Sequence, residues 1–116
     1  MYNGWADMAI SAFGTIEYFE SVLTHDATAS EDVRLFLMPG MDHCFGGVGP
    51  SAVNYLTVMD KWVTTGKAPD ELPVYWLDEE RQLAGSRLLC AYPQVAKYDG
   101  QGDPRDASSF SCVSGN

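Results

Sequence analysis

Two short apolar runs, Met1–Trp5 and Val33–Met38, stand on either side of a segment whose apolar residues recur at helical spacing. This order constrains the fold more than any other feature. In the segment Ser11–Leu23, Ile16, Phe19, Val22 and Leu23 fall on one face and Glu17 and Glu20 on the other, the pattern of an amphipathic helix. The run Val33–Met38 is stopped by Pro39 and Gly40 after six residues, too soon for a helix and right for a buried strand. Two parallel strands cannot be joined by a tight turn and need a crossover, usually a helix, so strand, helix and strand in this order predict an α/β fold.

The rest of the chain is consistent with one small domain. Thr24–Asp32 is polar and reads as a loop. Ser51 is placed to cap a second helix whose stripe is Ala52, Tyr55, Leu56, Met59, Trp62 and Val63, ended by Gly66 with Pro69 beyond. Leu72–Leu77 predicts a strand, Asp78–Arg81 a charged turn, and Arg87–Cys90 a return alongside. Ala91–Asn116 is rich in Pro, Gly, Asp and Ser and reads as loop held down by something other than a core. The truncated strand at Met1 predicts that the 116 residues are a segment of a longer fold, with no internal repeat and no second domain.

Composition narrows the function classes. With 46% apolar residues the chain can bury a core. With 7 basic against 16 acidic residues, a net charge of −9, it lacks the clustered cations that nucleic acid or anionic lipid requires, so neither is an expected partner. No apolar stretch approaches the roughly 18 to 20 residues of a membrane span, and no signal pattern opens the chain. Cys44, Cys90 and Cys112 match no zinc template. Their odd number leaves two readings open: one thiol with a partner elsewhere in an oxidising compartment, or three free buried thiols in a cytosolic protein.

The chemistry-bearing residues lie where each strand of the α/β unit ends. Asp7 follows the first strand, and His43 follows the second, inside the glycine-rich loop Met41–Pro50. In such sheets catalytic groups sit beyond the carboxyl ends of the strands, and an Asp that accepts the Nδ1 proton of a His orients it as a general base. On the residues alone, Asp7 as a turn cap and His43 as an ordinary loop side chain are the simpler account. His25 reads as a solvated loop residue, Asp42 as a loop-capping group, and Trp5, Tyr55 and Trp62 as core.

Three segments carry a resemblance that extends over nearly the whole chain. Gly4-Trp5-Ala6-Asp7 resembles the G-W-A-D segment of the tannase and feruloyl esterase family, and Pro39-Gly40-Met41-Asp42-His43-Cys44-Phe45-Gly46-Gly47-Val48-Gly49-Pro50 is similar to its P-G-M-x-H-C-x-G-G-x-G-P. Leu89-Cys90-Ala91-Tyr92-Pro93, with Ala107–Val113, resembles its C-x-Y-P tail. Met8 departs from the pattern, since many members have Pro after the Asp.

The resemblance implies the C-terminal part of an α/β-hydrolase catalytic domain over residues 1–116, with Asp7 as triad acid and His43 as triad base of a serine carboxylesterase. It implies small aromatic acid esters such as feruloyl or galloyl esters as substrates, no cofactor, and secretion. It implies a Cys90–Cys112 disulfide and an unpaired Cys44, whose family partner lies beside the nucleophilic Ser. No G-x-S-x-G or C-S-x-G elbow occurs in this chain. The nucleophile, the oxyanion hole and the family's lid, with its calcium site in some members, are therefore expected upstream, and no metal is expected here. The alternative is a secreted remnant or interaction module that has lost its chemistry.

Overall fold

The computed structural model describes residues 1–115. Strand β1 (Tyr2–Gly4) and strand β2 (Phe36–Met38) pair in parallel, with Tyr2 opposite Phe36 and Gly4 opposite Met38. Helix α1 (Ala12–His25) is the crossover between them. Helix α2 (Tyr55–Thr65) then leads into the antiparallel hairpin of β3 (Glu71–Leu77) and β4 (Leu83–Cys90), and β5 (Gln94–Tyr98) and β6 (Phe110–Ser114) form a second antiparallel pair. The fold is therefore α/β, as the strand and helix order predicts, but its strands form three two-stranded sheets.

The core lies between β1–β2 and the β3–β4 hairpin. Phe36, Met38, Met41, Leu72, Val74, Leu89 and Ala91 are buried together, with Val53 and Val58 packed against them. Strand alternation explains the set: Phe36 and Met38 share one face of β2, and Leu72 and Val74 one face of β3. An antiparallel bridge from Phe36 to Ala91 joins the two sheets, and another from Ala52 to Tyr75 ties the segment before α2 to β3.

Several local expectations are corrected. The stretch Thr24–Asp32 is not loop throughout: α1 runs to His25, and Asp26 then caps a 3₁₀ turn, Ala27–Glu31, by accepting the Thr28 N–H at 2.9 Å. The second strand is shorter than Val33–Met38, because the Val33 N–H turns back to Ala29 and ladder pairing begins at Phe36. Asn54, not Ser51, caps α2, its Oδ1 accepting from the Thr57 N–H at 3.1 Å. Ser51 and Ala52 are otherwise engaged, both donating their N–H to the Tyr75 carbonyl.

The α2 stripe is not core either. Leu56 and Val63 are 85% and 78% exposed, because the helix meets the core through Val58 instead. Tyr55 is partly exposed and stacks on Tyr2 with centroids 5.0 Å apart, Trp62 is half-buried, and Trp5 is 45% exposed with its ring edge-on to Phe13.

The region after Ala91 is also more ordered than its composition suggests. Val95 faces Val113, Ala96 faces Cys112, and the Tyr98 and Phe110 rings meet at 5.5 Å, so cross-strand pairs stabilise a ribbon. A Cys90–Cys112 disulfide ties this ribbon to the end of β4. Asn116, the last residue of the segment read as a tail, lies outside the described residues.

Candidate active site

The loops that leave β1 and β2 converge because Gly4 has no side chain. A Cβ at Gly4 would stand 2.1 Å from the Met41 carbonyl oxygen and 2.7 Å from that of Asp42, so only glycine lets the second loop lie on the first. The backbone takes up the contact: the Trp5 N–H donates to the Met38 carbonyl at 3.0 Å and the Ala6 N–H to that of Met41 at 3.1 Å. Asn3, buried in β1, donates its amide to the carbonyls of Gly4 and Ile10 and fixes the far end of the Asp7 loop.

Asp7 uses its two oxygens differently. Oδ1 accepts the N–H groups of Ala9 at 2.8 Å and Ile10 at 2.9 Å, the turn-capping arrangement. Oδ2 lies 2.9 Å from His43 Nδ1. The capping and pairing readings of Asp7 are therefore not alternatives, since the same carboxylate does both. Its side chain is 3% exposed, against 57% for His43.

The N–H of Ile10 is the largest influence on the Asp7 carboxyl. Together with His43 and the N–H of Ala9 it holds the pKa below the ordinary 3.8 against the opposing effect of burial. An ionised carboxylate only accepts hydrogen bonds, so the contact puts a proton on Nδ1, and in the neutral ring that leaves Nε2 as the nitrogen with the free lone pair.

The His43 loop is closed on itself. Met41 and Gly47 bridge, the Asp42 N–H donates to the Gly46 carbonyl at 3.2 Å and the Gly49 N–H to that of Gly40 at 2.9 Å. Gly47 sits at φ +87°, and a Cβ there would meet the Gly40 carbonyl oxygen at 2.3 Å. Two side chains outside the loop grip it: Ser51 Oγ accepts the Gly46 N–H at 3.2 Å, and the Trp76 indole donates to the Val48 carbonyl at 3.1 Å. Around the Asp7–His43 pair in the same two loops, Met8, Phe45 and Val48 are 101%, 75% and 91% exposed.

The other candidate residues take no part in the Asp7–His43 contact. His25 ends α1 in the open, Asp42 is exposed in the loop, and Cys44 is a free, exposed thiol at φ +64° beside His43. Among the described residues no serine is hydrogen-bonded to His43, and no three His, Cys, Asp or Glu side chains gather to hold a metal. Sequence reasoning passed over Asn3 and Trp76. The one signal for Asn3 was a polar amide inside an apolar strand, and Trp76 gave none.

The chain as a whole is similar to known esterases and hydrolases. The family model described as tannase and feruloyl esterase matches residues 1–113. The chain is 39% identical to the mono(2-hydroxyethyl) terephthalate hydrolase of Piscinibacter sakaiensis over 116 residues, covering 97% of this chain and 19% of that one. It is 37% identical to a probable feruloyl esterase of Arthroderma benhamiae, covering 97% and 22%. Among solved structures, feruloyl esterase B from Aspergillus oryzae superposes with a TM-score of 0.80 at 28% identity, over 97% of this chain and 26% of that one. The chain thus spans 19% to 26% of the length of these relatives.

Proposed function

From the premise that the chain belongs to the tannase and feruloyl esterase family, we propose that residues 1–116 are the C-terminal part of an α/β-hydrolase domain. In this reading they supply the acid and base of a Ser-His-Asp triad. The observation that carries the proposal is the 2.9 Å contact between Asp7 Oδ2 and His43 Nδ1 at the ends of two parallel strands. The serine comes from outside these residues, because no nucleophile elbow occurs in the sequence.

The geometry fits this division of labour. With its proton on Nδ1 and held by Asp7, His43 presents a basic Nε2 that takes the proton of a serine hydroxyl as it attacks an ester carbonyl. Asp7 stabilises the resulting imidazolium, which then protonates the departing alcohol. In deacylation His43, still held by Asp7, takes the proton of a water that attacks the acyl carbonyl and returns it to the departing serine oxygen. The substrates are esters of aromatic acids, the class that the feruloyl esterase and the terephthalate hydrolase among its relatives share in name. The Cys90–Cys112 disulfide supports an oxidising compartment, and the protein is secreted.

A serine-directed fluorophosphonate tests the assignment. The chain alone gives no covalent adduct and no feruloyl ester turnover above a histidine-containing peptide, since neither an activated serine nor an oxyanion hole is present. Stoichiometric labelling, or turnover abolished by His43→Ala, would reveal a nucleophile within these residues and sink the division of the triad.

A further inference from the structure

The loop that carries His43 is held at its near end by the Ala6 N–H on the Met41 carbonyl, and at its far end by the Trp76 indole on the Val48 carbonyl. The indole N–H can only donate, and its position is set from outside the site. The Arg87 guanidinium lies over the Trp76 ring at 5.7 Å and over the Phe110 ring at 4.4 Å, so it is stacked between them, and Arg105 lies over Trp76 at 5.4 Å. Buried Arg87 Nε has no hydrogen-bond partner, so this stack places Arg87 rather than an ion pair.

The stack joins the β3–β4 hairpin, which carries Trp76 and Arg87, to the disulfide-tied ribbon, which supplies Phe110 and Arg105. Phe110 begins β6 two residues before Cys112, and the Arg105 segment is fixed to β4 by the Ser86 N–H on the Arg105 carbonyl at 2.7 Å and the Ala107 N–H on Ser86 Oγ at 2.9 Å. A physical line therefore runs from the Cys90–Cys112 bridge through Phe110, Arg87 and Trp76 to the carbonyl of Val48, five residues after His43.

We propose that Trp76 is a positioning residue for His43, and that the disulfide-closed ribbon holds it in place through the Phe110–Arg87–Trp76 stack. The proposal rests on the reading of His43 as the triad base. Loss of the indole donor leaves the Val48 carbonyl without its anchor on β3, and the His43 ring then loses its fixed approach to Asp7. The ribbon is in this sense part of the base-orienting apparatus, although neither it nor Trp76 touches the imidazole.

The readout is the tautomer of His43, followed by long-range proton–nitrogen spectra of the 15N-labelled chain, with His25→Gln used to assign the ring. The native chain shows the Nδ1–H form. Replacement of Trp76 by its benzothiophene analogue, which keeps the ring shape and puts sulfur in place of N–H, raises the Nε2–H fraction about fivefold, the equivalent of one neutral hydrogen bond. Trp76→Phe does the same. Reduction of Cys90–Cys112 raises it in the native chain but adds nothing in the Trp76 analogue.

A native tautomer in the analogue overturns the proposal, even if the melting temperature falls, because a purely structural Trp76 would lower stability alone. Asp7→Asn separates the two levels. If it shifts the tautomer while the analogue does not, only the positioning role fails. If Asp7→Asn leaves the tautomer unchanged, the Asp7–His43 pairing fails and takes the proposal with it.

Discussion

Removal of the Cys90–Cys112 disulfide should separate the stability of the ribbon from that of the parallel β1–β2 unit. The perturbation is Cys90→Ala with Cys112→Ala, made in a Cys44→Ser background so that no free thiol can exchange. The bridge spans 22 residues of sequence, and loop-closure entropy for that length gives about 3.4 kcal/mol at 25 °C. A chain of this length is expected to have roughly 6 to 17 kcal/mol of stability, so the loss is a large fraction of the lower end.

Without the bridge, β5–β6 is held by its five cross-strand pairs and the Arg87 stack, and a lone two-stranded ribbon is marginal in water. Urea unfolding followed by circular dichroism should show the unfolding free energy falling by that amount, and amide exchange should show the β5–β6 ladder opening before the core strand β3. The oxidised parent with Cys44 restored should titrate a single thiol on denaturation. A loss under about 1 kcal/mol, with ribbon amides still protected, would refute the view that the bridge holds the C-terminal region down.

Two further outcomes follow from the packing and charge. Gly4→Ala should cost about 2 to 3 kcal/mol, because its Cβ would meet two carbonyl oxygens of the His43 loop, whereas Gly14→Ala in α1, with its nearest neighbour at 4.0 Å, should stabilise by about 0.5 to 1 kcal/mol. Paired urea titrations check both, and a tolerated Gly4→Ala would contradict the close approach of the two loops. Stability should also be full above the ordinary carboxyl value of 3.8 and fall as pH drops through the lower folded-state values of Asp7, Asp26 and Asp106, since the unfolded chain binds protons there more readily. Acid titration of the unfolding midpoint reads this directly, and a midpoint that rose between pH 5 and pH 3 would contradict it.

The elements legible in the sequence were those whose periodicity is enforced by burial. The stop at Pro39–Gly40, the amphipathic run into α1 and the alternation Leu72, Val74 each report one buried face. The ribbon was missed because Ser, Lys and Cys alternate with its few apolar residues, and what pairs its strands is cross-strand contact and a disulfide rather than a hydrophobic stripe. The α2 stripe misled for the opposite reason: Leu56, Met59 and Val63 have helical spacing yet face outward in this structure.

At the site, Asp7 and His43 were marked by position after strands, and the family pattern named their roles. Their separation in space, the double use of the Asp7 carboxylate and the part of Trp76 are tertiary facts. Asp7 and His43 lie 36 residues apart, Trp76 and Val48 lie 28 apart, and no local signal encodes either contact.

The most direct test of the central claim replaces the matching 26% of the Aspergillus oryzae feruloyl esterase B chain with these 116 residues. Methyl ferulate hydrolysis by the chimera is then measured with His43 and Asp7 intact and substituted. The account expects turnover in the parent chimera, a loss of about 10⁴-fold in Asp7→Asn and a loss at least as large in His43→Ala. Turnover that survives His43→Ala would show that the base comes from elsewhere and contradict the assignment of these residues.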